Sequence, residues 1–188
     1  MGCETTREKP NELSPNQENS KNRKDLLLLG KNENKNISID KFIEDALKRH
    51  NELRINHGVN PLKISEDLNK IAQKFAEFLA EKNKIIQSGN IYKGEDLGEN
   101  IFCCSGNEIQ GDLMTMSWYD EIKEYDFNNP GFKSEAGHFT QIIWKDTKEV
   151  GFGFAKSNNG VYYGVGNYFP AGNIDTKEEF INNVLKRK

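Results

Sequence analysis

The residue types that could do chemistry in this chain are few and sharply placed. His138 lies in Gly137-His138-Phe139-Thr140-Gln141-Ile142-Ile143-Trp144-Lys145, where an imidazole and a hydroxyl are threaded through an apolar run rich in β-formers. A strand has no packing use for an imidazole, so His138 is a candidate for proton transfer or ligand binding. The bland alternative is a satisfied buried histidine holding a sheet together. Cys103 and Cys104 are adjacent and, in extended backbone, point to opposite faces. No serine or cysteine is tied by motif to His138, so we name no catalytic residue. At the other end, Met1-Gly2-Cys3-Glu4-Thr5-Thr6 fits the pattern for N-myristoylation of Gly2, with Cys3 placed to take palmitate. One acyl chain gives marginal membrane residence and two give stable anchoring, so the pairing has chemical meaning. A chance match to a short motif is the competing reading.

Composition narrows the function classes. The 188 residues carry 26 basic and 29 acidic side chains, a net charge of -3, which gives no general attraction to polyanions; we expect no nucleic-acid partner. Three cysteines, two of them adjacent, do not make a disulfide framework, and this favours a reducing compartment. We expect no membrane span, since no apolar run approaches the roughly 20 residues needed. We expect no secretion signal either, because Leu26-Leu27-Leu28-Leu29 is too short for a signal-peptide core.

The elements that must position His138 follow from periodicity. Residues 1–36 are rich in Asn, Lys, Glu, Ser and Pro, and we read them as a flexible tail; residues 37–188 form the domain. A helix capped by Ser38 or Asp40 carries Phe42, Ile43, Ala46, Leu47, His50 and Leu53 on one face and ends before Gly58. His50 and His57 on it are structural or surface groups, and a cation at His57 would suit the helix end. A second helix after Ser65 faces the core with Leu68, Ile71, Ala72, Phe75 and Leu79. A third spans about residues 110–125, burying Leu113, Met116, Trp118 and Ile122. Strands are expected over 139–144, 150–155 and 161–168, the last two joined at Asn158-Asn159-Gly160, residues that tolerate a tight hairpin. Gly151, Gly153, Gly164 and Gly166 should leave one face bare for a bulky neighbour. A short helix over 178–185 closes the chain. Helices first and strands later predict an α+β fold. Trp118, Tyr119 and Trp144 read as core.

The segment around His138 stands between Gly98-Glu99-Asn100 upstream and Asn167-Tyr168-Phe169-Pro170-Ala171-Gly172-Asn173-Ile174 downstream. With Arg49-His50-Asn51-Glu52-Leu53-Arg54 near the start, the pattern resembles the CAP superfamily of cysteine-rich secretory, antigen 5 and pathogenesis-related 1 proteins. The likeness runs from about Ile37 to the C-terminus. Trp118-Tyr119-Asp120-Glu121-Ile122-Lys123 and Asn129-Pro130-Gly131-Phe132 resemble its intracellular group, the Golgi-associated plant pathogenesis-related proteins. Secreted members place cysteines in both signature regions, and here Val150-Gly151-Phe152-Gly153 and Val165-Gly166-Asn167-Tyr168 have none.

The resemblance implies a three-layer α-β-α sandwich with a central antiparallel sheet. It implies a central cleft of two Glu and two His, which motif by motif fall on Glu99, Glu121 and His138, with Gln87 standing where the second His belongs. A divalent metal such as zinc would then have His138 alone as imidazole ligand and bind weakly; no other cofactor is expected. The resemblance also implies acylation at Gly2, binding of acidic phospholipid or sterol, a homodimer, and residence on the cytoplasmic face of Golgi or plasma membrane. Three functions compete: a non-enzymatic lipid-binding module, a metal-dependent hydrolase using His138, Glu99 and Glu121, and a protein-interaction scaffold.

Overall fold

The computed structural model describes residues 38–106 and 108–188. The tail, the Gly2 and Cys3 acylation pattern and the leucine cluster at 26–29 lie outside the described residues.

Helix α1 (Ile39–Asn56) starts where Ser38 Oγ accepts from Lys41 N at 3.3 Å and ends at Gly58, whose φ of 69° needs a residue without Cβ. It buries Phe42, Ala46, His50, Leu53 and also Arg54. Strand β1 (Lys63–Ile64) leads to α2 (Glu66–Lys82), capped by Ser65 with Glu66 and Asp67 in its first turn, where acidic groups favour the helix dipole. Two short strands, β2 (Ile91–Tyr92) and β3 (Glu95–Asp96), pair antiparallel before β4 (Gly98–Ser105). Helix α3 (Gly111–Tyr119) tightens into a 3-10 turn (Asp120–Glu124); a second 3-10 turn (Ser134–Ala136) runs into α4 (Gly137–Ile143). Strands β5 (Glu149–Lys156) and β6 (Val161–Phe169) form the hairpin, and α5 (Lys177–Asn183) follows.

The sheet runs in the order β1-β5-β6-β4. Its three long strands are antiparallel, and the two-residue β1 pairs parallel with β5, so the sheet is mixed rather than wholly antiparallel. Helix α2 covers one face. Helices α1, α3 and α4 build the larger core on the other, around Phe42, Trp118, Phe139, Trp144 and Phe152. This is the expected α+β sandwich.

Four local expectations change. Residues 139–144 are helical, not a strand. Their β-formers bury Phe139, Ile142 and Ile143 at helical spacing, and long-range contacts described below hold both ends, so packing overrides propensity. The third helix breaks at Asp120, and Leu113 is 57% exposed while Met114 is fully buried in its place; Trp118 is buried and Met116 and Ile122 pack against the core as expected. Strand β4 was unexpected, since its Glu, Asn, Cys and Ser residues carry no clear alternation. The glycines do not bare one face. An ideal Cβ on Gly151 or Gly153 would strike the backbone of α2 at 2.2 and 2.4 Å. Gly164 and Gly166 lie on the other face, where the space at Gly164 is filled by Met114 and Ile109 and that at Gly166 by the rings of Phe152 and Tyr168.

Candidate functional site

The site begins at the N-terminus of α4. Glu121, in the 3-10 turn after α3, reaches across with both oxygens. Oε2 accepts from the backbone N–H groups of His138 (2.9 Å) and Phe139 (3.3 Å), and Oε1 accepts from His138 Nδ1 at 2.6 Å. One carboxylate thus satisfies two orphan helix donors and a ring nitrogen. Because a carboxylate only accepts, His138 Nδ1 carries a proton, so in the neutral tautomer the lone pair falls on Nε2. The ring stacks on Trp118 (centroids 6.1 Å apart, 20° between planes), and Trp118 Nε1 donates to Ile101 O of β4 at 3.2 Å. Both members of the pair are partly open to solvent, with side-chain exposures of 33% for His138 and 25% for Glu121. Chemically this is a carboxylate-oriented imidazole with one free nitrogen, suited to accept a proton or a donor group.

Glu99 and Asn100 are successive residues of β4 and therefore point to opposite faces. Glu99 shares its row with Asn167 and Gly151 on the α2 side. Its oxygens accept from Ser88 N (2.8 Å) and Asn167 Nδ2 (3.3 Å), and no hydrogen bond joins it to His138 or Glu121. Gln87 is exposed, one residue before the backbone N–H that Glu99 holds. Asn100 points toward α1 and α4 instead: its Nδ2 donates to His138 O (3.1 Å) and to Tyr168 Oη (3.2 Å). The structure therefore joins His138 directly to Glu121, and to β4 through Asn100 rather than Glu99.

Zinc would need more than this arrangement offers. His138 Nε2 is one imidazole donor, and the Glu121 oxygens already accept three hydrogen bonds. Among the described residues, no group of three or more His, Cys, Asp or Glu side chains is placed to hold a metal ion. The donor set does not fit a zinc centre.

Of the structural or surface roles expected for His50 and His57, the structure shows the first, and sequence reasoning gave Arg54 no role. His50 is fully buried, with Nδ1 on Ala46 O (2.8 Å) and Nε2 on Tyr168 Oη (2.8 Å). Burial pushes its pKa down to about 3 and raises that of Tyr168, so the hydroxyl keeps its proton and donates it to Nε2. His57 repeats the arrangement, with Nδ1 on Leu185 O (2.6 Å) and Nε2 on Tyr119 Oη (2.8 Å). Burial lowers its pKa too, so the expected cation at the helix end is replaced by a neutral buried ring. Arg54 is also fully buried, donating to four carbonyls: Asn60, Ile142 and Trp144 at 2.8 Å and Thr147 at 3.1 Å. Burial lowers its pKa to about 10, which leaves it charged at neutral pH. The detectable signal was the spacing of His50, Arg54 and His57 on a single helical face.

A second concavity lies between α1 and α2. It measures about 430 Å³, with Ile39, Ile43 and Phe152 among its lining and Lys70, Lys74 and Glu77 at its polar margin. Asn69 Oδ1 and Gln73 Oε1 accept from Phe152 N and Phe154 N, so α2 side chains satisfy the part of β5 that β1 is too short to pair. Among the described residues, no helix is long and apolar enough to cross a membrane.

Comparison with known proteins agrees with this architecture. The model of the cysteine-rich secretory protein family, CAP, matches residues 47–168. Golgi-associated plant pathogenesis-related protein 1 of Homo sapiens is 42% identical over 147 residues, 78% of this chain and 94% of that protein. Pathogenesis-related protein 1C of Nicotiana tabacum is 31% identical over 139 residues, 73% of this chain and 80% of that protein. Among solved structures, Schistosoma mansoni venom allergen-like protein 4 shares the fold at a TM-score of 0.62 and 19% identity, covering 79% of this chain and 96% of that one. The sandwich, the extent of the family match and the identity to these relatives together establish that the chain belongs to the CAP family.

Proposed function

We propose that this chain is a non-enzymatic, membrane-associated CAP-domain protein that binds a lipid or sterol and self-associates. The observation that carries the reading is the groove between α1 and α2. Its volume of about 430 Å³ is that of a small-molecule site, its lining from Ile39, Ile43 and Phe152 suits a hydrocarbon body, and its polar margin carries both signs, Lys70 and Lys74 for a headgroup oxygen beside Asp40, Glu66 and Glu77. The acylation pattern at Gly2 and Cys3 supplies an anchor of two chains. A relative at 42% identity is named as Golgi-associated, which supports a place on the cytoplasmic face of Golgi or plasma membrane.

The test is titration of the full chain with a fluorescent fatty acid and a fluorescent sterol. Saturable binding is expected, lost in Ile43→Glu and weakened for the fatty acid in Lys74→Glu; no saturable binding of either probe overturns the reading. Fractionation of a Gly2→Ala form tests the anchor, and an unchanged membrane pool removes it. Sedimentation over a range of concentrations, with and without anionic vesicles, tests the homodimer.

A second reading, hydrolysis, is favoured by one observation: Glu121 orients His138 so that Nε2 is free to act as a base. Peptidase or esterase turnover abolished by His138→Ala would establish it over the first.

A further inference from the structure

We propose that His50 and His57 are positioning residues of the cleft, holding the two halves of the His138–Glu121 pair in register through Tyr168–Asn100 and through Tyr119. The chain contains three histidines, and two of them lie seven residues apart, His50 on the buried face of α1 and His57 at its C-cap. That spacing is two helical turns, or about 10.5 Å along the axis. Both rings are used alike. Nδ1 meets a backbone carbonyl, which can only accept, so each ring is protonated there and its Nε2 must accept from a tyrosine hydroxyl.

The two tyrosines lead to opposite members of the pair. Tyr119 is the last residue of α3, two before Glu121, so its hydroxyl bond to His57 fixes the strut that carries the carboxylate. Tyr168 Oη donates to His50 and accepts from Asn100, and the same Asn100 amide donates to the carbonyl of His138. Arg54, between the two histidines, binds Ile142 O and Trp144 O at the far end of α4. Helix α1 thereby sets the carboxylate strut, the first turn of α4 and its last turn against one rigid edge. The path from His50 reaches the His138 carbonyl by hydrogen bonds throughout, and the path from His57 reaches Glu121 through one hydrogen bond to Tyr119 and the two residues of backbone that follow.

The experiment is long-range proton–nitrogen NMR of the full chain, in which three histidine rings give three separable patterns. The variants are Tyr119→Phe and Tyr168→Phe, each of which removes the one hydroxyl bonded to a buried histidine and keeps the ring. In each, the His138 Nδ1–H signal is expected to move upfield and exchange about tenfold faster, the factor for one hydrogen bond's worth of restraint. The His50 pattern should stay in place in Tyr119→Phe and the His57 pattern in Tyr168→Phe. A His138 signal unchanged in both variants, with only the melting temperature lowered, overturns the inference. Should Tyr168→Phe fail to fold, His50→Gln takes its place and is read in the same way.

Discussion

Glu121 holds His138 at two points, the ring nitrogen at 2.6 Å and the backbone N–H at 2.9 Å, and also takes the N–H of Phe139 at 3.3 Å. The carboxylate is at once a helix cap and the partner that sets the ring's tautomer. Position and tautomer of the imidazole are therefore coupled through one side chain.

Replacing Glu121 by Ala should remove all three bonds and leave two helix donors at a partly buried end. We expect a loss of about 2 kcal/mol in urea unfolding, with Glu121→Gln retaining part of it because the amide oxygen still accepts.

Arg54→Met should cost about 3–5 kcal/mol, since it strips the donor from four carbonyls that have lost contact with water. Arg54→Lys should recover little, because one ammonium cannot span the fork that the guanidinium fills. Equilibrium denaturation of both variants checks this.

Stability should fall on mild acidification. His50 has a folded pKa of about 3 against an ordinary 6.5, and His57 is shifted the same way by burial. Both are neutral when folded, whereas the unfolded chain takes up protons as pH drops below about 6.5. The stabilisation is whole above that value and is lost progressively toward pH 3. His50 alone should cost about 2 kcal/mol at pH 5, read from denaturation at pH 7 and pH 5.

Gly151→Ala and Gly160→Ala separate two uses of glycine. At Gly151 a Cβ would meet α2 backbone at 2.2 Å, so the helix must lift from the sheet, and we expect a loss of about 3 kcal/mol. At Gly160 the space is open and the cost is only the positive φ of 86°, about 1 kcal/mol. Melting curves of the two should rank accordingly.

Where order is local, it was legible before any coordinates. The faces of α1 and α2, their Ser38 and Ser65 caps, and the hairpin at residues 157–161 follow from periodicity and turn chemistry that a dozen neighbouring residues decide. Helix α4 was misread because what holds it is distant: Glu121 at its start and Arg54 at its end come from other elements. Strand β4 was missed because its polar residues serve partners that no local window contains, Asn100 with Tyr168 and Glu99 with Ser88 and Asn167.

By itself the amino-acid sequence determined the family, the α+β class and the chemical types in the cleft, because motif residues and hydrophobic period are properties of short stretches. Tertiary structure alone decided which of those groups meet. Two adjacent β4 residues were thrown to opposite faces by the pleat, so the carboxylate that reaches His138 is Glu121, while Asn100 ties it to the sheet. The buried histidines behind them became neutral acceptors because the packed core removed the water that would have stabilised their charge.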